Sequence, residues 1–202
     1  MKSLILGLVL LFSGIRLVPH IMLMILGSSR SVIEMDLDRW GTILLWRKPD
    51  NSIQRVVLFV RLMTLKPEYR NLFYHRTGFS GRVFAVMCRP MSTLYLDTAK
   101  IGPGLFIQHG FCTMIAAAEI GENCWINQQV TIGFSNATDR PTLENNVTIS
   151  AGAKEIGKVN IGENSKVGAN AVVVKNVPAN VTVVGVPCRL VRKDGIRVDL
   201  SL

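Results

Sequence analysis

A six-residue rhythm runs through the second half of this chain and restricts its fold more than any other feature. Between Ile101 and Pro187 a branched aliphatic residue opens unit after unit, often followed by glycine: Ile101-Gly102, Ile107, Ile120-Gly121, Ile126, Ile132-Gly133, Leu143, Ile149, Ile161-Gly162, Val167-Gly168, Val173. The last group keeps strict spacing of six, with one lapse where Glu155 takes an aliphatic slot. Such a period suits neither a helix nor an alternating strand. It suits a solenoid in which three short flat strands make one triangular coil of about eighteen residues. The aliphatic side chains stack inward, coil upon coil, while Gly, Asn and Asp-type residues turn the corners. The spacing predicts a parallel β-helix over residues 96–188. A mostly helical region over 1–95 precedes it, and a C-terminal tail over 189–202 follows.

Charge is distributed unevenly. Residues 1–100 hold 14 Lys and Arg against 6 Asp and Glu, whereas residues 101–202 hold 9 against 8. The basic character therefore belongs to the helical half. The four cysteines, Cys88, Cys112, Cys124 and Cys188, form no C-x-x-C pair, so no zinc site is expected and the thiols read as reduced.

The chain opens with an apolar run from Ser3 to Gly27, in keeping with a mean hydropathy of +0.32. As a signal peptide the run lacks a basic start beyond Lys2 and a small-x-small cleavage site. As a membrane-spanning helix it is interrupted by Arg16, Pro19 and His20. It fits two short helices broken near Pro19 and lying in a membrane interface, with the following basic residues meeting anionic head groups. The competing reading is that these helices bury their apolar faces against each other or a neighbouring subunit. Further on, Ser31 and Glu34 have the spacing of a capping box, and Pro67 suits the first position of a helix over Lys66–Arg76. The Tyr and Phe residues of that helix read as core rather than as a nucleic-acid stacking surface, so no nucleic-acid partner is expected.

The stretches IGPGLFIQHGF, IGENCWINQQVTIG, SAGAKEIGKVNIGENSKVGANAVVVKNVP and GVPCRLVR resemble the hexapeptide-repeat acyltransferases. The similarity is to the serine acetyltransferase-like branch, which includes relatives that acetylate surface polysaccharides, and it covers about residues 65–193. The resemblance implies a left-handed parallel β-helix, a homotrimer, acetyl-CoA as donor and no metal.

The reaction implied is transfer of an acetyl group from a thioester to a hydroxyl. A hydroxyl is a weak nucleophile until a base takes its proton, and an imidazole titrates in the range that suits this task. His109 is the one histidine within the repeat, and it occupies the position of the family's catalytic His. Three departures stand around it. Gln108 replaces the Asp that precedes this His in serine acetyltransferases, and a neutral amide forms no ion pair with an ammonium group. Leu94 stands where the family has an imidazole-orienting Asp, which leaves Asp97 as the candidate for that role. Arg140 stands where the family has a second His. The loop Phe134–Thr142 interrupts the rhythm, and its Asp139 and Arg140 are candidate acceptor contacts alongside Gln108.

For the donor, the small residues Ala151, Gly152 and Ala169 would let a pantetheine arm approach the backbone. Val174 and Lys175 match positions bordering the cofactor in the family, and Arg189 and Arg192 match its phosphate-binding residues. The reading is an acetyl-CoA-dependent O-acetyltransferase with His109 as general base. Its acceptor is a sugar or lipid-linked glycan hydroxyl, and it works in the cytoplasm at the inner face of an anionic membrane. The alternatives are a serine O-acetyltransferase and a non-catalytic β-helix scaffold.

Overall fold

The computed structural model describes residues 2–202; Met1 and the side chains of residues 2–6 and 8 lie outside the described residues. The start of the expected apolar run is thus placed by its backbone alone. The chain divides into two compact units, one ending at Met91 and one running Ser92–Leu202.

The first unit holds five helices: α1 (Lys2–Arg16), α2 (Val18–Leu26), α3 (Arg30–Leu45), α4 (Ser52–Leu65) and α5 (Pro67–Val83). The expected break near Pro19 falls at Leu17, and the two halves meet at 66°. Pro19 sits in the first turn of α2, where a missing N–H costs no helical hydrogen bond. Among the described residues no single helix is long and apolar enough to cross a membrane. Pro67 opens α5 as expected, and Asn51 caps α4 by accepting from the Gln54 amide at 2.9 Å.

The expected capping box at Ser31 does not form. The helix begins two residues earlier, with Ser29 at the cap position, so Ser31 lies inside α3. Glu34 pairs instead with Arg30 at 2.9 Å. The Ser29 hydroxyl makes no cap bond to its own helix amides and instead donates to the Arg76 carbonyl at 2.6 Å.

Aromatic side chains fill the core of this unit. Trp40 and Phe59 meet Tyr69 edge-on, and Phe59 meets Phe73 at 5.1 Å between ring centroids. Beside them Asp36 and Arg76 form an ion pair at 2.9 Å, almost wholly removed from solvent.

The second unit is a triangular prism of parallel strands. One face stacks β1 (Leu94–Leu96), β4 (Thr113–Ile115), β7 (Thr131–Gly133), β10 (Lys154–Ile156) and β13 (Val172–Val173). The second face stacks β2 (Lys100–Ile101), β5 (Glu119–Ile120), β8 (Thr142–Leu143) and β11 (Asn160–Ile161). The third holds β3 (Phe106–Ile107), β6 (Trp125–Ile126), β9 (Thr148–Ile149), β12 (Lys166–Val167) and β14 (Val181–Val184), then β15 (Arg189–Lys193) and β16 (Ile196–Ser201).

The inward columns are those the rhythm predicts. Ile107, Ile126, Ile149, Val167 and Val183 stack in register, each at most 1 % exposed. The Ile-Gly pairs have a packing cause. A Cβ on Gly102, Gly121 or Gly162 would meet the backbone of the next coil at 2.6 to 2.7 Å or closer.

Two boundaries differ from expectation. The solenoid begins at β1, since Leu94 pairs with Thr113, ahead of residue 96. Residues 189–202 are no free tail: β15 pairs antiparallel with β14, and β16 with β15, so the hairpin satisfies the edge that the last coil leaves open.

Glu155 keeps its aliphatic slot in the column Ile132–Glu155–Val173. It is fully buried, and neither carboxylate oxygen has a hydrogen-bond partner. Burial pushes its carboxyl up from 4.5 to about 8.

Candidate active site

His109 lies on an enlarged corner. Ile107 and Ile115 are eight residues apart, whereas their in-register counterparts Ile126 and Ile132 are six apart, as are Ile149 and Glu155. Two additional residues therefore bulge from the edge between β3 and β4. The bulge holds two non-glycine residues in left-handed backbone conformations, His109 at φ +62° and Cys112 at +51°. Most other corners of the solenoid place Asn in this conformation, at Asn123, Asn146, Asn164, Asn170 and Asn180. The imidazole is exposed, carried outward on a rigid edge.

Its immediate partner is Gln108, whose Nε2 lies 3.5 Å from His109 Nε2. The amide has a second contact. Trp125, in register with Phe106 and edge-on to its ring at 4.7 Å, donates its indole N–H to Gln108 Oε1 at 3.2 Å. The same N–H reaches Asn127 Oδ1 at 2.7 Å. An indole N–H only donates, so it fixes the amide with oxygen toward Trp125 and nitrogen toward His109. In that arrangement His109 Nε2 is the acceptor of a long contact from the amide N–H at 3.5 Å, which an incoming hydroxyl would have to displace for the imidazole to act as a base. Trp125 was not singled out in the sequence; a bulky indole in a strand of small and aliphatic residues was the signal available.

Asp97 does not orient the imidazole. It follows β1, whereas His109 follows β3 on another face, and Asp97 pairs with Arg140 instead. Arg140 Nη1 lies 3.1 Å from Asp97 Oδ2 and donates to its carbonyl at 2.9 Å. The guanidinium also sits over the Phe134 ring at 5.0 Å. Arg140 is thereby a clasp that ties the loop to the first coil.

Asp139 is likewise turned inward to its own loop. It accepts from the backbone amides of Ser135 at 2.9 Å and Asn136 at 2.8 Å, and from the Ser135 hydroxyl. The Ser135 hydroxyl, with the Asn136 amide, holds its carboxyl below the usual range. These contacts organise the loop and account for both oxygens, so the expectation of an acceptor contact gives way to a loop-forming role.

The small residues share the edge of His109. Backbone hydrogen bonds climb this corner from Gln129 N to Phe111 O, Gly152 N to Gln128 O, and Asn170 N to Ala151 O. The His109 bulge, Ala151, Gly152 and Ala169 thus lie along one edge of the prism, with coils about 4.8 Å apart. Gly152 has an internal cause besides any ligand: a Cβ there would meet Asn170 Oδ1 at 2.0 Å.

At the far end lies an apolar cleft of about 520 Å³ lined by Val174, Lys175, Cys188, Arg189 and Leu202 among others. Three of the expected donor-site residues are therefore brought together. Arg192 is not among them. It points its Nη1 toward the Gly195 carbonyl at 3.5 Å within the terminal hairpin. The two cations of the cleft have partners from β16 and its end: Arg189 pairs with Asp199 at 2.7 Å, and Lys175 donates to the Leu202 carbonyl at 2.8 Å. Among the described residues no cluster of His, Cys, Asp or Glu could hold a metal ion.

Residues 140–175 match the family described as Bacterial transferase hexapeptide (six repeats). A protein of Synechococcus elongatus named serine acetyltransferase is 45% identical over 133 residues, covering 63% of this chain and 54% of the relative. The chain thus spans about half the length of that curated relative. Among solved structures, soybean serine acetyltransferase complexed with serine superposes with a TM-score of 0.63 at 25% identity, covering 81% of this chain and 70% of that one. Serine acetyltransferase from Brucella abortus in complex with coenzyme A gives 0.60 at 26% identity, covering 86% and 72%. The solenoid is the left-handed β-helix of these structures.

Proposed function

We propose that this chain, a hexapeptide-repeat protein that fits the serine acetyltransferase-like branch, transfers the acetyl group of acetyl-CoA to the hydroxyl of L-serine. The observation that carries the reading is the shared edge. His109 stands exposed at one level of the corner, the small residues continue along that edge, and on the last coil the cleft lined by Val172, Lys175 and Arg189 lies against the adjoining β13 face.

The glycan acceptor expected from the sequence is corrected here. The relative at 45% identity is a serine acetyltransferase, as are the neighbouring structures, one of which holds serine. The expectation rested on three departures together, Gln108, Leu94 and Arg140, the first read as unable to pair with an ammonium group. A hydrogen bond needs no full charge, however. Gln108 Oε1 has two lone pairs, one of which receives the Trp125 N–H, and the other is available to an ammonium donor.

In the proposed reaction acetyl-CoA supplies an electrophilic thioester carbonyl. His109 takes the proton of the serine hydroxyl as its oxygen bonds to the acyl carbon. The carbon–sulfur bond breaks, and the same imidazole returns the proton to the departing sulfur. The cleft suits the donor: its apolar wall suits a pantetheine arm, and Lys175 and Arg189 suit phosphates. The chain works as a closed three-fold homotrimer, in which a neighbouring subunit covers the edge that a single chain leaves open. Dependence on acetyl-CoA as donor supports a cytoplasmic setting for the proposed reaction.

The test is thiol release from acetyl-CoA with free L-serine, purified full chain and His109→Ala in parallel. Serine-dependent release by the wild type alone supports the reading; release no faster than in the variant removes it.

A further inference from the structure

The helical unit is inverted where α1 and α2 meet solvent. Leu11, Phe12 and Ile15 of α1 are 64 to 69% exposed, and on α2 Val18, Met22 and Leu26 are 49, 54 and 75% exposed. The opposite face of the same helices buries polar atoms. Ser13 is 8% exposed, and His20 is wholly buried with Nε2 3.0 Å from the Tyr74 hydroxyl. Isolated apolar residues at a surface need no explanation, but a continuous face of this kind marks an interaction surface.

That face runs into a groove of about 520 Å³ between α1, α2 and α4, lined only by apolar residues and glycine, including Leu10, Ile15, Val18, Val57 and Val60. Val57 also lines a second pocket, of about 250 Å³, whose charged members are Arg47, Lys48 and Arg61 with no carboxylate. The nearest acids answer two of these cations weakly: Arg47 lies 3.5 Å from Asp50, and Lys48 lies 3.8 Å from Asp38. Between Leu45 and Arg47, both of this pocket, Trp46 is 91% exposed. An apolar groove joined to a cationic pocket, with an exposed indole beside it, matches the layering of a bilayer interface: acyl chains, phosphates, and an aromatic residue at head-group level. Residues 1–91 contain thirteen Lys and Arg against five Asp and Glu, so charge complementarity selects anionic lipid.

We propose that the face formed by α1, α2 and α4 lies on the surface of an anionic phospholipid bilayer, with Leu11, Phe12 and Ile15 entering the acyl region. Arg47, Lys48 and Arg61 receive lipid phosphates. The helices lie in the interface rather than cross it. The inference is independent of the acetyl-transfer reading, because its measurement is binding and not turnover.

The experiment is flotation of the full chain with vesicles of phosphatidylcholine alone or of phosphatidylcholine with phosphatidylglycerol. Light scattering and circular dichroism check assembly and folding. Binding to the anionic vesicles should exceed binding to the neutral ones by about tenfold or more, weaken in high salt, and shift Trp46 emission to the blue, a shift that Trp46→Phe removes. Phe12→Glu with Ile15→Glu should abolish flotation without altering helix content or particle mass. Arg47→Gln with Lys48→Gln and Arg61→Gln, all at the surface, should abolish the preference for anionic vesicles. Absence of flotation by the folded wild type overturns the proposal. So does complete displacement by inorganic phosphate at matched ionic strength, which would indicate a soluble phosphate site. A smaller particle mass for the Phe12/Ile15 variant, with no wild-type flotation, assigns the face to a second copy of the chain and equally overturns it.

Discussion

The indole N–H of Trp125 lies 3.2 Å from Oε1 of Gln108, on the coil that follows the one carrying His109. This contact sets which end of the Gln108 amide faces the imidazole. Trp125→Phe keeps the ring packing against Phe106 but removes the donor, so the amide is free to turn. Its expected effect is a fall in kcat/KM with L-serine of about tenfold, in line with one lost hydrogen bond. Gln108→Asp introduces a full charge for the amino acid's ammonium group and should lower the KM for L-serine. Steady-state kinetics at several serine concentrations separates the two effects; an unchanged KM in both variants would remove Gln108 from the acceptor site.

His109→Ala should lower kcat by about 10²–10⁴-fold, the usual contribution of a positioned general base. Calorimetry should find coenzyme A affinity nearly unchanged, because the donor cleft is lined by residues of the last coil and the terminal hairpin, several coils from His109.

Arg189 and Arg192 stand in the same strand, but only Arg189 lines the cleft. Arg189→Ala should weaken acetyl-CoA binding by about 1.5–3 kcal/mol, the value of a charge-assisted contact. Arg192→Ala should change it little. Equal losses in the two variants would place the nucleotide outside this cleft.

Glu155 makes the solenoid sensitive to pH. Its carboxyl titrates at about 8 in the folded chain against 4.5 ordinarily, because burial disfavours the charged form. The folded state therefore holds a proton that the unfolded state releases across this interval. The contribution of Glu155 to stability should be full below about 4.5 and should be lost as pH rises toward 8. Glu155→Leu restores the aliphatic column and should remove this slope, raising the melting temperature most at the alkaline end. Thermal unfolding followed by circular dichroism across the interval gives the comparison.

Asp36 and Arg76 form the buried ion pair of the helical unit, with side chains 2% and 6% exposed. Asp36→Asn leaves the guanidinium without its counter-charge inside the core and should cost about 3–5 kcal/mol. Urea denaturation of the full chain, read by far-ultraviolet circular dichroism, should show an earlier loss of helical signal. An unshifted transition would mean that the pair contributes nothing net.

The six-residue rhythm was sufficient to determine the solenoid, because each aliphatic residue occupies the same inward place on every coil, and neither a helix nor a simple alternating strand repeats at six. The break of the first helices was legible for a similar reason: a proline and a charge within an apolar run act locally. His109 was found by its residue type and its surrounding motif. The partners of these residues were decided only by the tertiary structure. Asp97 stands close to Leu94 in the sequence, yet the turn of the prism carries it to Arg140, forty-three residues on, while His109 leaves from another face. Trp125 reaches Gln108 because one coil of nineteen residues places Trp125 beside Phe106, a distance no local pattern reports. Glu155 announced itself as a lapse in the rhythm, but whether it would turn outward or stay in the column depended on its neighbours. Ile132 below and Val173 above hold the strand in register, and a one-residue slip would expose every aliphatic side chain to spare one carboxyl.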